Sequence, residues 1–376
     1  MRAAALALAA AALLLAGCGS RDAIRRGGTT GGTSLTVYSS LPTPGRGASR
    51  DIVDGEKLAL AQAHGRIGAY TISYSSLDDH GAGAGARRKA AADAARTAMA
   101  DTGTAALIGT LDSTGARASI PLLNESGVLQ VSLGAGYPGF TAPFGPDEPQ
   151  RFYPSGRRTF ARLVGDDRAQ ARELVRAAGA KRIVVEAEGD EDAAALASEV
   201  RRAAQAAGAQ LADTPGRHGA VVYAGSDPVN AAGVAESVAR ESPGARVVLP
   251  DEVVRAGVDG LIHGRAAKRT VLVSRAPAPG STPALREFEA AFRTTYRRAP
   301  GPSAALGDAA MTTVLDALAR SAAHDEAGTR QRVIDAFFAA GPQDTVLGPL
   351  GVTPAGDVTP ARFSTYRLEH GRPAYS

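Results

Sequence analysis

The sequence predicts an α/β protein of two lobes, each a parallel sheet with helices on its faces. From Leu35 onward, short β-rich runs alternate with Ala-rich helical runs, which is the pattern of a parallel sheet covered by helices. The alternation is interrupted between Phe144 and Arg162 and then resumes, so it forms two series. The 376 residues also exceed the roughly 250 to 300 beyond which single cores divide into domains.

The first series opens with the strand Leu35-Thr36-Val37-Tyr38, which runs into Ser39-Ser40-Leu41-Pro42 and, after a loop, an amphipathic helix over Asp54–His64. The β-rich run Tyr70–Tyr74 is the next strand, followed by the Gly-rich loop His80–Gly85 and an Ala-rich helix over Arg87–Met99. Ala105–Gly109 is the third strand, Ser113–Glu125 contains the third helix and Val128–Ser132 is the fourth strand. The second series runs helix Ala169–Ala178, strand Arg182–Glu186, helix Ala193–Ala207, strand Ala220–Ala224, helix Asn230–Glu241, then strands Val247–Leu249 and Thr270–Ser274. Helices over Leu285–Arg297 and Ser303–Ala323 follow.

The N-terminus stands outside this pattern. Arg2 is a minimal positive region, Ala3–Leu15 is apolar, and Ala16 and Gly17 are small, as a secretory leader requires. The segment falls short of the roughly 20 apolar residues that span a bilayer. Cys18 is the only cysteine, so the chain has no intramolecular disulfide and holds itself together by packing. Leu15-Ala16-Gly17-Cys18 resembles a bacterial lipobox, which implies cleavage before Cys18 and lipid on its thiol; an ordinary signal peptide that happens to contain a cysteine is the alternative. Gly19–Ser34 is rich in Gly, Ser, Thr and Arg and reads as a flexible tether to a globule held at the outer face of the cytoplasmic membrane or in the periplasm.

Composition excludes several functions. The net charge of +4 is small and scattered, which argues against nucleic acid. The densest basic run, Arg87-Arg88-Lys89, opens a helix and reads as a solvated helix start or a contact for lipid headgroups. There is no Gly-x-Ser-x-Gly elbow, His-Glu-x-x-His, Walker loop or Gly-x-Gly-x-x-Gly opening a helix, and His80–Gly85 lacks the Gly-Lys-[Ser/Thr] ending of a phosphate cradle. The six histidines are scattered singly, so no metal site, no cofactor and no enzyme activity is expected.

Ligands in such folds sit at the carboxyl edge of the sheet. Ser113, directly after a strand and at a helix start, is placed there as a ligand contact or as a helix cap. The loop Leu133-Gly134-Ala135-Gly136-Tyr137 offers bare backbone amides to an anion, though a glycine pair also suits a tight turn.

Over nearly the whole chain after the leader, the residues resemble the substrate-binding proteins of branched-chain amino acid ABC transporters. Tyr38–Leu41 and Asp54-Gly55-Glu56-Lys57-Leu58-Ala59-Leu60 resemble that family's first strand and first helix; Leu107-Ile108-Gly109 with Ser113 resembles its ligand loop. Gly127-Val128 to Thr141, then Arg162 with Asp167 and Gln170, then Asp344–Leu350 and Gly356-Asp357 before a closing strand over Arg362–Leu368 follow in the family's order. The resemblance implies a type I periplasmic binding protein: two Rossmann-like lobes with parallel sheets flanked by helices, joined by three crossovers and closing over a ligand by hinge motion. Residues 35–162 with 276–346 would form the first lobe and 163–275 with 347–376 the second. It implies that Ser113 and the backbone at Gly134 and Gly136 hold a ligand carboxylate, that Asp251 holds its ammonium, and that Tyr137 and Ser226 complete the ligand set; a helix cap after Pro250 is the other reading of Asp251. The implied function is capture of an amino acid or similar small polar solute by a monomeric, membrane-anchored component of an ABC importer, with a permease and its ATPase as partners. A sensory or scaffold lipoprotein of the same fold is the alternative.

Three departures bear on the ligand. Gly136 replaces the family's threonine, Ser226 stands where a tyrosine is usual, and the acidic run Glu188–Asp192 replaces Tyr-Gly. Fewer rings and more acid point to a larger or more polar amino acid, or to a cationic compound.

Overall fold

The structure, a computed structural model, describes residues 34–43, 45–322, 330–369 and 372–375. Cys18 and the tether as far as Thr33 lie outside the described residues.

The elements run β1 (Ser34–Leu41), α1 (Gly47–Gln62), β2 (Arg66–Ile67), β3 (Tyr70–Asp78), α2 (Ala84–Ala100), β4 (Thr104–Gly109), α3 (Ser113–Glu125), β5 (Leu129–Ser132) and β6 (Phe160–Arg162). The second run is α4 (Asp167–Ala178), β7 (Arg182–Ala187), α5 (Glu191–Ala206), β8 (Gln210–Leu211), β9 (Ala220–Ala224), α6 (Pro228–Glu241), β10 (Arg246–Leu249), α7 (Asp251–Arg255), α8 (Gly264–Arg269) and β11 (Thr270–Ser274). Then come α9 (Pro283–Tyr296), α10 (Ala304–Ala322), α11 (Arg330–Ala339), β12 (Gln343–Thr345), β13 (Gly348–Val352), β14 (Val358–Thr359), β15 (Ser364–Glu369) and β16 (Arg372–Tyr375).

They build two main sheets. The first is six-stranded in the order β2-β3-β1-β4-β5-β6, and the second is seven-stranded in the order β16-β15-β11-β10-β9-β7-β8. β1, β3, β4, β5 and β6 are parallel, as are β7 to β11; β2, β15 and β16 add antiparallel edges. Every residue of β4 and of β9 is buried, because a parallel sheet is covered on both faces.

After β11 the chain returns to the first sheet. Leu306, Ala310, Met311 and Val314 of α10 join Val37, Ile108 and Val131 in one core, and α10 lies directly on α1. Two glycines set that approach: a Cβ on Gly55 would overlap the Ala304 carbonyl, and one on Gly307 would overlap the carbonyl of Ile52. Leu350 and Val358 pack in the same core, whereas Tyr366 and Leu368 pack with the second sheet. The final crossover therefore lies between Val358 and Tyr366, later than the division at 346/347 read from the sequence, since β12–β14 carry apolar side chains onto the first core.

Other differences are local. α1 begins at Gly47 rather than Asp54, and β3 runs on to Asp78. The apparent gap between the series contains β6, whose Arg162 is fully buried.

Candidate functional site

A cleft of about 500 Å³ lies between the two sheets at the carboxyl ends of their strands. Its first wall comes from the loop after β1, the start of α2, the β4–α3 turn and Gly134; its second comes from the start of α5, the loop after β9 and α7. The walls touch directly. Thr114 Oγ1 donates to Asp192 Oδ2 at 2.7 Å, Arg117 Nη2 donates to Asp192 Oδ1 at 2.8 Å, and Arg255 Nη1 donates to the Leu111 carbonyl at 2.9 Å. Three hydrogen bonds thus bridge the cleft.

Ser113, Gly134 and Ser226 line it; Gly136, Tyr137 and Asp251 do not. Ser113 starts α3, but the cap is Asp112, whose Oδ1 accepts from the Gly115 amide at 2.6 Å. Ser113 Oγ instead accepts from the Tyr137 amide at 3.0 Å, which leaves its own O–H to donate. The amides of the glycine loop are largely taken: those of Gly134 and Ala135 donate to Ser132 Oγ at 3.3 and 3.0 Å. Buried Arg162 clamps this loop by donating to the carbonyls of Ala135 (3.0 Å) and Tyr137 (2.9 Å), to Thr141 Oγ1 (2.5 Å) and to Asp357 Oδ1 (2.7 Å).

Gly136, Tyr137 and Asp251 are each surrounded or engaged by other parts of the protein. A Cβ on Gly136 would overlap Asp167 and Arg275, so the lack of a side chain there makes room for that ion pair. Tyr137 turns into an aromatic cluster, with its hydroxyl donating to Glu148 Oε2 at 2.8 Å and the Arg117 guanidinium 3.7 Å over its ring. Asp251 is only 1% exposed, and its oxygens accept from Arg255 Nε at 2.7 Å, the Arg275 amide at 2.9 Å and Ser274 Oγ at 3.2 Å. Burial alone would raise its carboxyl, but Arg255 and Arg275 together hold it below the usual carboxylate range.

Arg275 is the centre of this network. Fully buried, it donates to Asp167 Oδ1 at 2.6 Å and to Glu252, which also accepts from Gln170 Nε2 at 3.1 Å. Burial raises the Asp167 carboxyl to about 7 against the pull of Arg275, and the like charge of Glu252 adds to the rise.

The acidic run Glu188–Asp192 is likewise occupied by the protein. Glu188 accepts from the Tyr223 hydroxyl and from the amides of Ser226 and Asp227, both at 2.9 Å. Asp190 Oδ1 caps α5 through the Ala193 amide at 2.8 Å, and Glu191 and Asp192 pair with Arg88 and Arg117. The added acid is thus tied into the protein through these bonds, with Asp190 and Asp192 on the cleft wall.

The sequence reading passed over Arg46 and Arg255 and placed Arg87 at a solvated or lipid-facing helix start, whereas all three line the cleft. Arg255 carried a signal in its i,i+4 spacing from Asp251 on a helix. Among the described residues no aromatic side chain lines the cleft, and no group of three or more His, Cys, Asp or Glu could hold a metal.

Two such sheets with a cleft between their strand ends make a type I periplasmic binding protein fold. The solved structures that share it include an ABC transporter substrate-binding protein from Desulfitobacterium hafniense in complex with Leu, at 16% identity and a TM-score of 0.75 over 91% of this chain and all of that one. The leucine-binding protein LivK from Thermotoga maritima matches at 17% identity with a TM-score of 0.73, over 91% of this chain and 97% of that one. A solute-binding protein from Rhodopseudomonas palustris in complex with benzoate matches at 18% identity with a TM-score of 0.67, over 91% of this chain and 95% of that one. No protein-family model matches the sequence, and no curated protein matches it.

Proposed function

We propose that this protein is the extracytoplasmic solute-binding component of an ABC importer, taking an amino acid or similar small polar solute into the cleft between its lobes. The observation that carries this is the cleft itself: strand ends of both sheets converge on it, and side chains from one wall bond directly to the other. The fold's neighbours with Leu and with benzoate support a small carboxylate-bearing solute. Hinge closure would present the captured solute to a permease and its ATPase, with the protein acting as a monomer and not as an enzyme. Cys18, lipidated, would hold it at the membrane surface through the segment that precedes β1; among the described residues no helix is long and apolar enough to cross a membrane. The first lobe would comprise 35–162 with 276 to about 358, the second 163–275 with the closing strands.

A panel of amino acids and small organic acids, read by melting temperature and titration calorimetry, tests the proposal. A ligand at a hundredfold excess over its Kd stabilises by about 2.7 kcal/mol. A panel without heat or stabilisation would sink the transport reading in favour of a scaffold role.

A further inference from the structure

We infer that the cleft is built for the carboxylate of a small organic acid without an α-ammonium group, recognised by Arg255 and Arg87 with the Ser113 hydroxyl. This rests on the solute-binding reading. A zwitterion needs an acceptor left for its ammonium, and most of the carboxylates at the cleft are committed to protein cations. Asp251 is held by Arg255 and Arg275, Asp167 and Glu252 by Arg275, and Asp192 by Arg117. The remaining wall carboxylates, Asp112 and Asp190, cap α3 and α5 through one oxygen each, and Asp112 also lies in the field of Arg87 and Arg255.

The donors are in the opposite condition. Arg255 reaches from α7 across the cleft: Nε is fixed by Asp251, Nη1 by the Leu111 carbonyl, and Nη2 has no hydrogen bond among the described residues. Its Nη1 also lies 3.0 Å from where a Cβ on Gly134 would stand, so the guanidinium sits against the strand ends where a ligand's charged end would rest. Arg87, from the first turn of α2, makes no side-chain hydrogen bond among the described residues, and its Nε is buried without a partner. Both guanidiniums act electrostatically on Asp112, which places them at one end of the cleft. With Nε and Nη1 engaged, Arg255 is oriented in advance and offers Nη2 to a carboxylate oxygen. Leu111, Leu196, Ala193 and Pro42 give the wall an apolar surface for the acid's body.

Matched pairs test this on the purified protein: leucine against 4-methylpentanoate, and phenylalanine against 3-phenylpropanoate, with 4-methylpentanamide as the uncharged control. Calorimetry is expected to show each acid binding at least about tenfold more tightly than its amino acid or amide. Arg255→Gln should weaken the acid by about tenfold to a hundredfold. Should that variant not fold, Arg87→Gln at the half-buried helix start should weaken the acid and leave the melting temperature unchanged. An amino acid that binds as tightly as its acid, or an amide that equals it, overturns the inference and leaves solute binding intact. No binding by either member of any pair overturns both.

Discussion

Glu56 gives the sharpest test of how this fold handles buried charge. It lies on α1, fully buried, with Oε1 accepting from Ser39 Oγ at 3.2 Å and Oε2 from the Tyr74 hydroxyl at 2.5 Å. Burial raises its carboxyl from 4.5 to about 8, and the bonds from Tyr74 and Ser39 and the nearby Lys57 offset only part of that rise. The folded state therefore holds the proton more tightly than the unfolded chain. The stability this provides is complete below about pH 4.5 and is lost progressively as pH rises to about 8. At about 1.4 kcal/mol for each pH unit, the gap sets a ceiling of about 5 kcal/mol. Water entry around the ionised group lowers the realised cost to about 2 to 4 kcal/mol.

Glu56→Gln copies the protonated side chain and cannot ionise. At pH 5 it should lie within about 1 kcal/mol of the parent protein, and at pH 9 it should be more stable by about 2 to 4 kcal/mol. Urea unfolding at intervals from pH 5 to 9 measures this, followed by far-ultraviolet circular dichroism because the chain has no tryptophan. Asp79 and Asp308, each raised to about 7 by burial, should leave the variant with a residual slope of the same sign. A constant difference between the two proteins across the whole range would refute the reasoning.

Gly307→Ala forces a Cβ into the Ile52 carbonyl and should cost about 1 to 3 kcal/mol in urea unfolding, with the α1–α10 contact as the first casualty. Asp251→Asn breaks a buried pair and should cost roughly 3 to 5 kcal/mol at neutral pH; because that carboxyl is held low, its contribution exists above about pH 4 and fades below it, so the variant's acid limb should be flatter. Asp192→Ala removes the acceptor shared by Thr114 and Arg117, and a loss of about 1 kcal/mol would move the closed-to-open ratio about fivefold, seen as a larger radius of gyration in small-angle scattering. Arg330→Ala strips donors from the carbonyls of Thr104 and Asp101 and should cost about 2 to 4 kcal/mol. Cys18→Ala should release the protein from membranes on fractionation; retention would remove the lipid anchor.

The central strands were legible because they are short continuous apolar runs between turn residues, as Ala105–Gly109 and Ala220–Ala224 show. Other elements gave no such signal. β6 is three residues long and ends in an arginine, and only the four bonds that Arg162 makes explain why a cation is buried there. α7 and α8 are five and six residues long, too short for a helical period to show. The start of α1 has the composition of a loop, Gly47-Ala48-Ser49-Arg50, and is helical because Ile52 and Val53 beyond it seat on the first core. On the cleft, Ser113 and Gly134 could be read from position alone, since each follows a strand, whereas Ser226 came only from the resemblance. The charged residues could not be read so, because the partner that decides whether an acid faces a ligand is far along the chain; Arg275 lies 24 residues after Asp251 and 108 after Asp167.

That distance links departures that look separate in the sequence. Glycine at 136 reads as a lost hydroxyl, the acids at 188–192 read as gained negative charge, and Asp251 reads as an acid for an ammonium. In the fold, Gly136 is the space that the Asp167–Arg275 pair fills, Asp251 fixes Arg255 against the strand ends, and Asp192 ties α5 to α3. In each place the group meets another part of the protein instead of standing free on the cleft. On the proposed reading, the solute answers the guanidiniums that remain there, Arg87 and Arg255.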